Sequence, residues 1–270
     1  MENRCDSKKV DLIVFAGQSN MSGRGEAGAA VQCADGAGYE YKAVSHPEGL
    51  LPIREPFGLN EDKEGAISDR TEDGGTKRRG SMVSAAADTY HARTGRTIVG
   101  VSASIGGSNT EQWKQVYLAD AVERLDQAKA FLSEHQFLVE RLFVVWCQGE
   151  SDGDAKRSAA DYTANTREIF RAFQAHGAEK CFLVQIGHYN YVDYPEGQDG
   201  LTGQEWDCYY EVIRNAQTAL CETDEDFIFA GSFEDCLHDM KDDYHYHQNA
   251  YNKVGNQVGG ALADYVLAHH

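Results

Sequence analysis

At 270 residues the chain suffices for one large α/β domain or two small ones. Hydrophobic residues make up 41% and charged residues 25%, the balance of a folded globular protein, which excludes a disordered chain. Acidic residues outnumber basic ones 43 to 25, and the resulting net charge of -18 repels phosphate backbones and anionic bilayers, which argues against nucleic-acid or membrane partners.

No run of 18 apolar residues exists, so no membrane-spanning helix is expected. Met1-Glu2-Asn3-Arg4-Cys5-Asp6 lacks the apolar core of a secretory signal. The seven cysteines (Cys5, Cys33, Cys147, Cys181, Cys208, Cys221 and Cys236) form no CxxC pair. An odd count without a framework points to a reducing compartment, and the expected location is the cytoplasm.

In chain order, Val10-Asp11-Leu12-Ile13-Val14-Phe15-Ala16 is rich in the β-branched and aromatic residues of a buried strand. It breaks at Gly17 into Gln18-Ser19-Asn20-Met21-Ser22-Gly23. Residues 23–80 then read as one long active-site loop. Three of the four prolines (Pro47, Pro52, Pro56) fall there, with a charged run over 61–79, and loops of this length are functional more often than idle. Lys77-Arg78-Arg79 within it reads as a solvated patch.

A helix is expected over 81–93, with Ser81 as its N-cap and Gly95 just past its end. Strands follow over 97–104, 141–146, 180–186 and 227–230. They alternate with helices marked by Leu118, Ala121, Val122, Leu125, Ala128 and Leu132, by Tyr162, Ile169, Phe170 and Phe173, and by Trp206, Tyr209, Ile213, Ala216 and Leu220. The last helix shows Ala250, Val254, Val258, Ala261, Leu262 and Tyr265 on one face. Its Gly255, Gly259 and Gly260 cost helix propensity, which predicts close backbone contact with the sheet. Five strands alternating with helices, without a repeat or a linker, predict a parallel sheet covered on both faces, in a single domain over 1–270.

Four short segments end strands or sit in the last loop: Gly17-Gln18-Ser19-Asn20, Gly106-Gly107-Ser108, Gln148-Gly149-Glu150 and Asp242-Asp243-Tyr244-His245. The carboxyl edge of an open α/β sheet is where ligands collect. Each segment supplies something that ester hydrolysis needs. A serine hydroxyl requires a base within reach, and the base requires a third group to fix its tautomer. Asp242 and His245, three apart on a turn, can place the carboxylate on Nδ1 and leave Nε2 for the Ser19 proton. Asp243, closer to the histidine in the chain, suits that role less well. The oxyanion needs preorganised donors, for which the backbone N–H groups of Ser19 and Gly107 and the Gln148 amide are candidates.

Plainer readings weigh against single residues. Gly-Gln-Ser-Asn alone is an ordinary turn. Trp113 and Trp146 read as core. Glu150 reads as an orienting residue for Gln148 or the neighbouring loops, and Asn20 as a tie within the nucleophile turn. His188, with Tyr189 and Tyr191, reads as loop rather than pocket lining. The His238 and His247 neighbourhood, with Asp235 and Asp239, has metal-ligand types at a spacing that matches no defined site, so a solvated acidic loop is expected and no metal.

Taken together and in order, these segments resemble the SGNH hydrolase superfamily, in its carbohydrate-esterase branch of sialate O-acetylesterases and acetylxylan esterases. The matching text is Gly17-Gln18-Ser19-Asn20-Met21-Ser22-Gly23, Ile105-Gly106-Gly107-Ser108 with Trp113, Trp146-Cys147-Gln148-Gly149-Glu150-Ser151, and Asp242-Asp243-Tyr244-His245-Tyr246 with Ala250-Tyr251 and Val254-Gly255. The resemblance implies a three-layer α/β/α sandwich around a parallel sheet of about five strands. It implies Ser19 as nucleophile, His245 as base with Asp242 as its partner, and Gly107 and the Gln148 amide as oxyanion donors. It favours His245 over His238 and His247, because an Ala-Tyr pair follows His245 at the family's spacing. Most of the superfamily has Asn where this chain has Gln148, a change the carbohydrate branch shares, and the first segment lacks the Gly-Asp-Ser form of the lipase-like branch. The implied activity is removal of O-acetyl groups from a small or oligomeric carbohydrate, through an acetyl-serine and without a metal or organic cofactor. An esterase or thioesterase on other acyl esters, or a non-catalytic carbohydrate-binding protein on the same scaffold, are the rival readings.

Overall fold

β1 (Lys8–Gly17) is buried from Val10 onward because both of its faces are apolar. Ile13 and Phe15 enter one core, and Leu12 and Val14 enter another on the opposite side. The structure, a computed structural model, describes residues 8–62, 69–71 and 73–269. The segment 1–7 with Cys5, positions 63–68 and 72 of the charged run, and His270 lie outside the described residues.

The other strands are β2 (Gly38–Lys42), β3 (His46–Pro52), β4 (Ile98–Ser102), β5 (Phe137–Cys147), β6 (Lys180–Gln185) and β7 (Phe227–Ser232). The helices are α1 (Ser19–Ser22), α2 (Val83–Thr94), α3 (Thr110–Gln112), α4 (Leu118–Glu134), α5 (Glu150–Asp154), α6 (Ala159–Ala175), α7 (Gly203–Thr223) and α8 (Gln248–Ala268). One seven-stranded sheet has the order β3-β2-β4-β1-β5-β6-β7. Its neighbours are parallel except for the antiparallel pair β2–β3. Val83, Tyr90, Val254 and Leu262 bring α2 and α8 onto one face. Leu125, Leu132, Ile169, Phe173 and Leu220 bring α4, α6 and the end of α7 onto the other. This is the expected three-layer α/β/α sandwich, with a sheet two strands wider.

Both additional strands lie within 23–80, so that stretch is not one continuous loop. β2 pairs with β4, and β3 closes the edge. β3 carries Pro47 and Pro52 and is largely exposed, so it shows no apolar alternation. An edge strand tolerates proline because its outward N–H groups need no partner. Two smaller corrections concern helices. The N-cap of α2 is Met82 rather than Ser81, although Ser81 Oγ still accepts the Val83 N–H at 3.1 Å. Gly255 and Gly259 pack on α2, not on the sheet. A Cβ on Gly255 would lie 2.7 Å from Ala85 Cβ and overlap the Met82 carbonyl; one on Gly259 would lie 2.8 Å from Thr89 Cβ and overlap the Ala86 carbonyl. Gly260 meets only the tip of Arg93, at 3.4 Å.

The topology also places the site. The chain leaves β1 toward β2, β3 and β4 on one side and crosses to β5 on the other, so the sheet's switch point lies at the carboxyl end of β1. Ser19 begins the turn that leaves that end.

The α2–α8 contact predicts opposite outcomes for two adjacent glycines. Gly259→Ala should cost about 1–3 kcal/mol of unfolding free energy by overpacking. Gly260→Ala should gain up to about 1 kcal/mol through helix propensity. Urea denaturation of the two variants checks this, and an equal loss at both would remove the close-approach explanation.

Candidate active site

At Gly17, φ is 139°, and a side chain there would overlap the Cys147 carbonyl of β5. The chain therefore passes flush against β5, and Gln18 N donates to Cys147 O at 2.9 Å. α1 then starts at Ser19. The loop bearing the histidine is closed by pairing of Met240 with Tyr246 and by Lys241 N–H on His245 O at 2.9 Å. Asn190, after β6, steadies it: its N–H donates to Asp243 O and its Nδ2 to Asp242 O, both at 3.2 Å.

The two segments meet. His245 Nε2 lies 2.9 Å from Ser19 Oγ, and His245 Nδ1 lies 2.9 and 3.0 Å from the two carboxylate oxygens of Asp242. Asp242 Oδ1 also accepts the N–H groups of Tyr244 (2.9 Å) and His245 (2.7 Å), a local turn that explains why a three-residue offset works. Burial raises the Asp242 pKa, but the His245 ring and these N–H groups outweigh it and bring it down to about 2. With an ionised acceptor at Nδ1, that nitrogen carries the proton, and Nε2 is left as an acceptor for the serine hydroxyl. The other histidines stand apart from this pair. His247 pairs with Glu26 at 3.0 Å, His188 pairs with Asp207 at 2.7 Å, and His238 lies in the turn Glu234–Asp239.

Ser19 and His245 open onto a cavity of about 380 Å³. Gly107 lines it with φ 70° and open space where a side chain would be. Gln18, Gly106, Glu150, Ser151 and Tyr244 also line it, and so do four charged residues that were not foreseen from the sequence: Arg24, Asp69, Lys77 and Asp154. Arg24 pairs with Asp69, which also accepts from Ser22 Oγ at 2.6 Å. Burial pushes the Asp69 carboxyl upward, yet Arg24 and Arg78 hold it below its usual range. Asp154 Oδ1 accepts from Tyr210 Oη at 2.7 Å and Trp206 Nε1 at 3.2 Å, and burial raises its pKa. Lys77 and Arg79 are exposed, as expected of a solvated patch, but Arg78 between them is not. Arg78 is buried against Asp62 at 3.0 Å and donates to Ser104 O at 2.9 Å, while Lys77 reaches the cavity. These residues come from separate loops, and no periodicity marks them.

Asn20 Nδ2 donates to Glu150 Oε1 (2.6 Å) and Tyr244 O (3.1 Å), and Asn20 Oδ1 accepts from Tyr251 Oη (2.7 Å). Asn20 thus ties the nucleophile turn to three other segments, and Glu150 orients Asn20 rather than Gln148. Gln148 departs from its expected place. It is fully buried and does not line the cavity, and its Nε2 donates to Asp152 Oδ2 (2.6 Å), Ser108 O (3.2 Å) and Gln18 Oε1 (3.3 Å). Trp113 and Trp146 are core, in edge contact at 4.9 Å. Among the described residues no group of three or more His, Cys, Asp or Glu is disposed to hold a metal ion, and no helix is long and apolar enough to cross a membrane.

Glu150 has one oxygen without a partner and a pKa raised, chiefly by burial. A carboxyl raised in the folded state contributes stability below its unfolded pKa that is lost as pH rises through the folded value. Glu150→Gln keeps an acceptor for Asn20 and removes the titration. The unfolding free energy of Glu150→Gln relative to wild type should therefore increase between pH 4 and pH 7. A pH-independent difference in urea melts would show that Glu150 titrates alike in both states.

Two solved structures share the architecture. A protein from Arabidopsis thaliana aligns over 97% of this chain and 99% of its own, at 17% identity and a TM-score of 0.64. A carbohydrate acetylesterase from Xanthomonas citri aligns over 96% of this chain and 57% of its own, at 17% identity and a TM-score of 0.54. At such identities the likeness is one of fold. No curated protein matches this chain. A family model described as carbohydrate esterase, sialic acid-specific acetylesterase, matches residues 9–264. The chain belongs to that family, and with it to the carboxylic ester hydrolases that act on acetyl esters.

Proposed function

We propose that the protein removes O-acetyl groups from a carbohydrate by a Ser-His-Asp mechanism with Ser19 as nucleophile. The observation that carries this reading is the 2.9 Å approach of His245 Nε2 to Ser19 Oγ, with Asp242 on the opposite ring nitrogen. Ser19 Oγ attacks the acetyl carbonyl carbon as Nε2 takes its proton. The carbonyl π-bond opens to an oxyanion within reach of the Ser19 and Gly107 N–H groups. Collapse breaks the bond to the sugar oxygen, which leaves with the proton from His245. The acetyl-serine is then attacked by water, from which His245 takes a proton, and acetate departs as Ser19 regains its hydrogen. Asp242 stays ionised throughout, holding the ring in one tautomer and balancing the imidazolium.

Support for a sugar substrate comes from family membership and from the wall of the cavity. Arg24, Asp69, Lys77 and Asp154 bring charged donors and acceptors to the cavity that can meet the hydroxyl groups of a sugar. The Tyr244 ring adds an apolar face of the kind that packs against a pyranose.

Two measurements test the reading. On an acetyl aryl ester, Ser19→Ala should lower turnover by roughly 10⁴-fold or more, and Asp242→Asn by about 10⁴-fold. A Ser19→Ala protein as active as wild type would remove the nucleophile assignment. Acetate release from acetylated xylan, acetylated sialic acid and acetylated monosaccharides should exceed the hydrolysis of medium-chain acyl esters. Preference for the longer acyl group would transfer the enzyme to the non-carbohydrate esterases, and sugar binding without turnover would make it a binding protein.

A further inference from the structure

Asp154, the last residue of α5, stands in the wall of the cavity that holds Ser19 and His245. Its two carboxylate oxygens differ in their surroundings. Oδ1 accepts the Tyr210 hydroxyl at 2.7 Å and the Trp206 indole N–H at 3.2 Å, both from α7. Tyr210 and Trp206 are buried, so the carboxylate is anchored to fixed groups. Oδ2 accepts from no group among the described residues and is not sealed from solvent. Holding Tyr210 and Trp206 needs one neutral oxygen, which a carboxamide also offers. The charge and the second oxygen go beyond that task, and partial burial makes the charge costly.

An aromatic ring stands beside this carboxylate. Tyr244 lines the same cavity, and its pKa is raised by burial and then by the Asp154 charge, which places the two side chains close together. The ring is supported from behind. Its centroid lies 5.9 Å from that of Tyr189, which in turn lies 6.2 Å from Tyr210, and its hydroxyl accepts from Gln198 Nε2 at 3.2 Å.

Topology sets this pair apart from the other charged lining groups. Arg24 and Asp69 pack where a Gly106 side chain would be, after β4. Asp154 follows β5 and leans on α7, which connects β6 to β7. Ser19 follows β1, and β1 lies between β4 and β5 in the sheet. A sugar whose acetyl group is at Ser19 therefore meets Asp154 and Tyr244 on one side only.

We propose that Asp154 Oδ2 accepts a hydrogen bond from a free hydroxyl of the sugar that carries the acetyl group, with the Tyr244 ring against the same sugar, and that this contact sets the preference for sugar acetates over simple ones. The proposal rests on the reading of the substrate as a carbohydrate. A hydroxyl donating to a carboxylate makes a charge-assisted bond. An oxygen whose partner atom is already held by two donors meets that hydroxyl without rearranging. An acetyl ester with no hydroxyl leaves Oδ2 to water. Asp154 is then a specificity-determining residue that takes no part in acyl transfer.

The test uses the full chain with 4-nitrophenyl acetate, mono-O-acetylated methyl glucoside and mono-O-acetylated sialic acid, and analogues of both sugars in which one free hydroxyl is replaced by hydrogen. Asp154→Asn keeps an acceptor for Tyr210 and Trp206 and removes the charge. Its ratio of kcat/KM on the better sugar ester to kcat/KM on 4-nitrophenyl acetate should fall about 10–100-fold below that of wild type. Wild type should discriminate against at least one deoxy analogue by tenfold or more, and Asp154→Asn should discriminate against that analogue by less than threefold. The proposal is overturned if the variant keeps the wild-type ratio within threefold, if it loses both kinds of ester equally, or if it discriminates among the deoxy analogues as wild type does. Should the variant not fold, wild type decides alone: equal turnover of every deoxy analogue, within threefold, overturns the proposal. A wild type that cleaves 4-nitrophenyl acetate and neither sugar ester overturns the carbohydrate reading itself, and the proposal with it.

Discussion

The meeting of distant segments at this cavity depends on a single buried carboxamide. Asn20 is fully buried and holds the β5 loop through Glu150, the histidine loop through the Tyr244 carbonyl, and α8 through the Tyr251 hydroxyl. Its partners lie 130 to 231 positions away in the chain. A buried amide left with unmet donors costs about 1–3 kcal/mol, so these bonds form together or not at all. Ser19 is the adjacent residue, and the distance from its hydroxyl to His245 is set by what Asn20 grips. Glu150 completes the arrangement at some cost, since its second oxygen finds no partner and burial disfavours its charge.

A second network, ionic rather than neutral, shapes the substrate side. Arg78 sits between Asp62 and Asp69, and Asp69 in turn pairs with Arg24. Buried charges persist when each has a partner and further hydrogen bonds, which Ser22, Ser102 and Ser104 supply here. This set fastens the excursion between β3 and α2 onto the carboxyl edge of the sheet. It also explains Gly106: a side chain there would overlap the Asp69 carboxylate and lie 2.8 Å from Arg24. The loop that presents Gly107 therefore lies flat on an ion pair.

The central strands, the helices between them, and the segments carrying Ser19, Gly107, Asp242 and His245 could be read in advance. Strands buried on both faces are continuous apolar runs, and α4, α6 and α7 show their 3.6-residue period plainly. β3 could not, because an exposed edge strand with two prolines carries none of the signals of a buried one. Arg78 resembled any basic surface tract, since burial of an arginine is decided by carboxylates elsewhere in the chain. Gln18 and Gln148 are the same side chain in similar settings, each at the end of a central strand. Which amide is engaged depends on Asp152 for one and on the Gly149 and Ser151 N–H groups for the other.

By itself the sequence determined the alternation of strands and helices and the chemical types delivered to the carboxyl edge of the sheet, because periodicity and side-chain chemistry are local properties. Tertiary structure alone decided the edge strands, the charged residues on the wall of the cavity and the partners that Gln18 and Gln148 hold. Those depend on which hydrogen-bonding and charged groups come within about 3 Å of each other, and separation along the chain does not specify that.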